Sequence, residues 1–423
     1  MRARRITACI KAGADAPGWS AFDAALVRGD DRLRGNASID DAVWDVLKTR
    51  DDEKQLMEPF VDPEAKICGV IGERIHLIVI LNRSSRLAAD SSEKENAMPT
   101  LSTKFTRALN LRYPIVSAPM AFAGGGALSA AVTRAGGLGL IGGGYGDPAW
   151  LADQFNAAES QRVGVGFITW SLRKSASLLT DVLQYRPAAV MLSFGDPRPF
   201  VDEIRKCGAV MICQCQNMEH VEDAVDVGAD VVVAQGAEAG GHGALRGTLT
   251  FVPEVADFLQ THAPETSLLA AGGIADGRGL AAALMLGADG VLVGTRLWAS
   301  REALVKEGHH SAIIETNGDG TVRTRVADIA RQLPWPRGFT ARIRRNAFTD
   351  RWHGREDALE SSIAVEGPRY RQALAAGDPE NTGVWFGEAA GIIHAIEPAA
   401  VIVERMAAEA IAQIERCGGA LRA

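Results

Sequence analysis

The chain is poor in cysteine, poor in aromatics and free of long apolar runs, and each scarcity removes a class of protein. Six cysteines, at Cys9, Cys68, Cys207, Cys213, Cys215 and Cys417, stand at irregular spacing with no CxxC pair. That pattern excludes a zinc-ribbon site and a disulfide-stapled secreted scaffold. No metal site is expected, and reduced thiols in a cytoplasmic protein without a secretory leader are the simplest expectation. Cys213 and Cys215 fall on one face of an extended segment, which reads as packing rather than redox chemistry. No segment approaches the ~20 apolar residues that span a bilayer. Basic charge is not in excess, since 45 Lys and Arg face 52 Asp and Glu. A nucleic-acid partner is therefore not expected, and the local group Arg342, Arg344 and Arg345 reads as a solvated helix face.

What is present is a chain of 423 residues, long enough for one large domain with additions. Residues 1–97 have a different texture, with scattered charges, a lone apolar run at His76–Leu81 and the polar stretch SSEKEN. They read as an N-terminal extension, either dispensable or the product of an upstream start codon. From Tyr113 onward β-rich runs alternate with amphipathic stretches. Strands are expected at Pro114–Ala118, Gly137–Ile141, Val163–Phe167, Ala189–Ser193, Ala209–Cys215, Val231–Gln235, Leu268–Ala271 and Gly290–Val293. Helices are expected at Gly126–Arg134, Pro148–Ala158, Arg173–Gln184, Pro199–Cys207, Glu219–Val227, Pro253–Thr261 and Arg278–Leu286. Eight near-continuous apolar strands separated by helices favour a closed (β/α)8 barrel, a TIM barrel, over residues 98–300. Residues 301–423 break the rhythm and read as a C-terminal helical lid or subdomain. It would hold an eighth barrel helix soon after Arg301, the loop GDPENTGVWFGEAAG and a final helix over Ala399–Arg416.

Parallel barrels keep their chemistry at the carboxyl ends of the strands. There the sequence places Ala118, Pro119, Met120 and Ala121, a turn whose amides and flat apolar face suit a planar ring. After strand six comes QGAEAGGHG, in which Gln235 and His242 sit on a glycine-rich open loop with Gly240 and Gly241. Gly272 and Gly273 follow strand seven, and Gly294 and Thr295 follow strand eight. Those two ends form the recurrent phosphate site of the fold, because unpaired amides converge there on an anion. Asp276 is placed to cap the helix that follows.

In this order PIVSAPMA, GGLGLIGGG, VAQGAEAGGHG, LLAAGGIADG and VLVGTRLWAS resemble the nitronate monooxygenase family, formerly the 2-nitropropane dioxygenases. The resemblance implies an FMN-dependent TIM barrel that oxidises alkyl nitronates, or nitroalkanes, with molecular oxygen to a carbonyl compound and nitrite. By motif it assigns Gln235, Gly240, Gly273 and the run Leu292, Val293, Gly294 and Thr295 to FMN, with Met120 near the ring and His242 in catalysis. Family members often carry an asparagine where this chain has Gly166, which can offer FMN only its backbone. Trp170 or Ser193 would then shape the substrate pocket, with simple packing the favoured alternative for Trp170. An imidazole could act as a cation that attracts the nitronate or as a neutral base toward a nitroalkane, and the two roles need opposite protonation. An FMN-dependent NAD(P)H enoyl reductase and a non-catalytic flavin-binding scaffold remain as alternatives, whereas an IMP dehydrogenase is disfavoured by the lack of a cysteine at a strand-end loop. Homo-oligomerisation is left open.

Overall fold

In the computed structural model, residues 60–62, 65–68, 101–175 and 177–420 are described. The chain divides into two compact units, Met1–Met98 and Pro99–Ala423. In the first, Phe60–Asp62 and Ala65–Cys68 form an antiparallel pair. The apolar run at 76–81 and the SSEKEN stretch lie outside the described residues.

The second unit is built on eight parallel strands: Ile115–Ser117, Leu140–Gly144, Gly164–Ile168, Ala189–Ser193, Val210–Cys215, Val231–Gln235, Ser267–Ala271 and Gly290–Val293. Each neighbours the next in chain order, strand eight pairs with strand one, and a parallel bridge from Val116 to Leu138 joins strands one and two. The ring is thus closed, as expected of a TIM barrel. Period-two alternation divides the side chains. Val116, Leu140, Met191, Ile212, Val231, Val233, Leu269, Ala271 and Leu292 fill the interior, whereas Ile115, Val165, Val190, Cys213, Cys215, Val232 and Val291 pack outward against the helices. Both cysteines therefore serve packing, and burial pushes the Cys213 thiol up to about 12. The same alternation brings Ser193, Gln214 and Gln235 to the mouth.

The helices depart from expectation in four places. The helix expected from Arg173 is instead a short turn Thr169–Leu172 and a helix Ser177–Leu183. The helix expected from Pro253 begins at Thr248, because the Glu238 carboxylate accepts from the Thr248 amide at 3.0 and 3.1 Å. Pro253 then lies inside it, where its missing N–H forgoes one helical hydrogen bond. Arg342 and Arg344 lie on a strand, Thr340–Arg344, and not on a helix face; they pair with Glu388 and Glu380. The eighth barrel helix is the final one, Ala399–Ala420, which packs against Gly277–Met285 and Gly126–Arg134. Its buried stripe Ala399, Ile402, Val403, Met406, Ala407 and Ala410 has the spacing of one helix face. Asp276 caps Gly277–Met285 as expected, accepting from Gly279 N at 3.1 Å.

Residues 301–398 consequently form an insertion between strand eight and its helix. The insertion has a core of its own around Val322, Val326, Ile343, Phe348, Trp352 and Tyr370. It also supplies two strands, Thr321–Thr324 and Thr340–Arg344, to an antiparallel sheet whose third member is Gly241–Gly243 from the loop after strand six. That loop is not open, as the glycines suggested: His242 stands opposite Ala341 in a pinned register.

Candidate active site at the barrel mouth

A belt of amides and hydroxyls crosses the top of the barrel interior. Ser193 Oγ donates to Gln214 Oε1 at 3.1 Å, Gln216 Nε2 donates to Gln235 Oε1 at 3.0 Å, and Gln235 Nε2 donates to the His242 carbonyl at 3.0 Å. Gln235 thereby ties strand six to the strand carrying the histidine. His220 Nδ1 lies 3.1 Å from Gln216 Oε1 and extends the belt.

The His242 side chain is 9% exposed, and its Nε2 lies 2.9 and 3.0 Å from the two oxygens of Asp328, itself buried. A carboxylate only accepts, so Nε2 carries the proton and the neutral ring keeps its lone pair at Nδ1. Burial holds the imidazole below its ordinary pKa; the hydrogen bond and charge of Asp328 oppose that, and Arg331 and Arg323 reinforce it. Arg323 is half-buried, with Nε on the Ala237 carbonyl and Nη1 on the Thr340 carbonyl, and desolvation brings it down to about 10.

Over the imidazole lies Trp335, stacked with ring centroids 3.3 Å apart and planes 8° apart. Its Nε1 donates to the Tyr145 hydroxyl at 3.1 Å. Trp170, expected in the pocket, meets Trp335 at 5.5 Å between centroids, and its Nε1 is buried with no partner among the described residues. Ser193 is turned into the belt toward Gln214.

On the other side of the mouth the expected cofactor residues present main chain. Ala118, Pro119 and Met120 fold into a tight turn in which the Met120 amide donates to the Ala118 carbonyl at 2.9 Å, and the Gly124 amide closes the next turn onto the Met120 carbonyl at 2.7 Å. A Cβ at Gly166 would lie 2.3 Å from Pro119 Cγ, so the proline ring occupies the space that an asparagine would need. Gly272 and Gly273 have φ of 102° and 73°, the region that favours glycine. The amides of Gly273, Gly294 and Thr295 have no acceptor among the described residues. Leu292 and Val293 have buried side chains, one in the barrel and one against the helices, so only their backbone reaches the mouth. The insertion closes this side: Gly387 N donates to Thr295 Oγ1 at 2.9 Å, and Gly240 lies against the backbone of Phe386 and Gly387. Gly241, at φ 71°, opens the strand that carries His242.

Two partners of the histidine escaped the sequence reading. Asp328 lies 86 residues from His242 in an unmarked VADIA stretch, and Trp335 announces itself only by the flanking Pro334 and Pro336. Gln214 and Gln216 were within reach, because CQCQ continues the alternation of strand five.

A nitronate monooxygenase family model matches residues 168–409, from the end of strand three into the last helix. The chain belongs to the nitronate monooxygenase family. As a member it is an oxidoreductase and takes a flavin. The chain is 31% identical to a nitronate monooxygenase of Neurospora crassa over 77% of its own length and 97% of the relative's. Among solved structures it is similar to FabK from Thermotoga maritima, with a TM-score of 0.65, 30% identity and coverage of 76% of this chain and 99% of the other. It is similar also to nitroalkane oxidase from Streptomyces ansochromogenes, with a TM-score of 0.63, 25% identity and coverage of 74% and 100%. Among the described residues no helix is long and apolar enough to cross a membrane.

Proposed function

We propose that this family member oxidises alkyl nitronates, and nitroalkanes after loss of their α-proton, with molecular oxygen, using FMN as the flavin. The observation that carries the reading is the state of His242, whose main-chain carbonyl is held by Gln235 and whose Nε2 is held by Asp328, leaving Nδ1 as the free basic nitrogen. A neutral imidazole fits a base that removes the α-proton better than a standing cation that attracts the anion.

The residues present fit FMN. The acceptor-free amides of Gly273, Gly294 and Thr295 would take the phosphate, since converging N–H groups stabilise an anion. The Ala118–Pro119–Met120 turn, with the bare backbone of Gly166 behind it, would offer an apolar face to the ring, and Gln235 with Gln216 would offer hydrogen bonds to its polar edge. FMN bound there supplies the route by which electrons leave the nitronate and reach oxygen. His242 Nδ1 takes the α-proton when the substrate is a nitroalkane, and Asp328 steadies the imidazolium that results. Trp335 and Phe194 keep water from the imidazole face.

The similarity to FabK supports a second reading, NAD(P)H-dependent enoyl reduction. Anaerobic titration of the purified yellow protein separates the two. Bleaching of the flavin bands by ethylnitronate and not by NADH or NADPH is expected. Rapid bleaching by a nicotinamide, with none by nitronate, overturns the proposal.

A further inference from the structure

Phe, Trp and Tyr make up only 6% of the chain, yet Tyr145, Trp170, Phe194, Trp335, Phe339 and Trp385 converge around one imidazole. Beyond the stack of Trp335 on His242, the Phe194 ring stands edge-on to the imidazole at 6.2 Å and to Trp335 at 5.2 Å. Trp385 lies 5.5 Å from the imidazole, and Phe339 meets Phe194 at 5.3 Å. Barrel loops supply three of these rings and the insertion the other three.

The arrangement is held against local cost. Phe194 has φ of 65°, a region costly for an aromatic residue and one in which strain concentrates at functional sites. Pro334 and Pro336 stiffen the backbone on both sides of Trp335, and Tyr145 fixes its indole nitrogen. Of the charges nearby, Asp328 is held by His242, Arg323 bonds to carbonyls, and Arg331 lies over the rings of Tyr145 and Trp385 at 5.2 and 5.5 Å.

We propose that this wall selects the substituent of the nitronate and that Trp335 sets the preference for a flat apolar or aromatic substituent. The inference rests on the nitronate reading above. Aromatic walls reward burial of a flat apolar group through area and edge-to-face contacts.

The test is kcat/KM of the holoenzyme for the nitronates of phenylnitromethane and nitroethane, in wild type, Trp335→Ala and Trp335→Phe. Wild type is expected to favour the phenyl over the ethyl compound by about tenfold or more, the discrimination an apolar pocket can supply. Trp335→Ala should bring that ratio close to one, and Trp335→Phe should retain most of it. A wild-type ratio near one, or a ratio unmoved in Trp335→Ala, overturns the proposal. Calorimetric titration of the same proteins with phenylacetate and acetate, whose carboxylate stands for the nitronate group, gives a readout without turnover. Tighter binding of phenylacetate that is lost in Trp335→Ala supports the wall; equal binding of the two acids overturns it. If no nitronate is oxidised, the functional reading fails, and this titration alone decides the inference.

Discussion

At the ends of strands seven and eight the protein offers main chain: glycines in the left-handed region and the acceptor-free amides of Gly273, Gly294 and Thr295. Around His242 it offers side chains, and those that touch the imidazole most closely, Asp328 and Trp335, come from the insertion rather than from the barrel. The glycine end uses backbone that any (β/α)8 barrel can expose, so its specificity lies in which residues are small. The histidine end depends on a second core folding correctly and delivering a carboxylate and an indole to one ring. The first arrangement suits a group common to many enzymes, and the second suits chemistry and selectivity particular to one.

The strongest challenge to this contrast is His242→Asn. Loss of the base should cut nitroalkane turnover by about 10²–10⁴-fold, while ready-made nitronates, which need no deprotonation, lose far less. Steady-state rates on nitroethane and ethylnitronate measure both, and equal losses would mean that the histidine end is not where the proton is handled.

A smaller effect is expected at the turn where Pro119 meets strand three. Gly166→Asn puts a Cβ 2.3 Å from Pro119 Cγ, and overpacking of that kind costs about 1–3 kcal/mol. The melting temperature should fall, and FMN retention should fall with it as the Ala118–Met120 turn is displaced. An Asn variant as stable as wild type would show that the turn tolerates a side chain there.

The finest probe is Asp328→Asn, which removes the acceptor that keeps the proton on Nε2 and should lower nitroalkane kcat/KM. Its sharper signature is in pH. The base is active when neutral, so the rate falls as pH drops through the His242 pKa, which burial already holds below the ordinary value. Asp328 raises that pKa, so its removal should move the acid limb to still lower pH. A limb that stays in place in the variant, read from kcat/KM profiles, would leave Asp328 without influence on the proton.

Much of the barrel is legible in the sequence. The strands were readable because they are buried on both faces, so each is a continuous apolar run, and the alternation that carries Val231 and Val233 inward carries Gln235 inward as well. The glycine end was legible for a similar reason: its chemistry is backbone chemistry, and the glycines that permit it are written in the sequence. Other features were misread because local signals compete with tertiary ones. Pro253 resembled a helix start until Glu238 anchored the helix five residues earlier, at Thr248. The Arg342–Arg345 cluster resembled a helix face until its neighbours were drawn into a sheet.

The amino-acid sequence by itself determined the barrel, its glycine-rich strand ends and the place of His242 after strand six, since periodicity and glycine placement are local properties. Only the tertiary structure decided which nitrogen of His242 is free and what lies over its face. Asp328 and Trp335 reach the imidazole through sheet pairing of Gly241–Gly243 with Thr340–Arg344, a contact between distant segments that leaves no periodic trace in either.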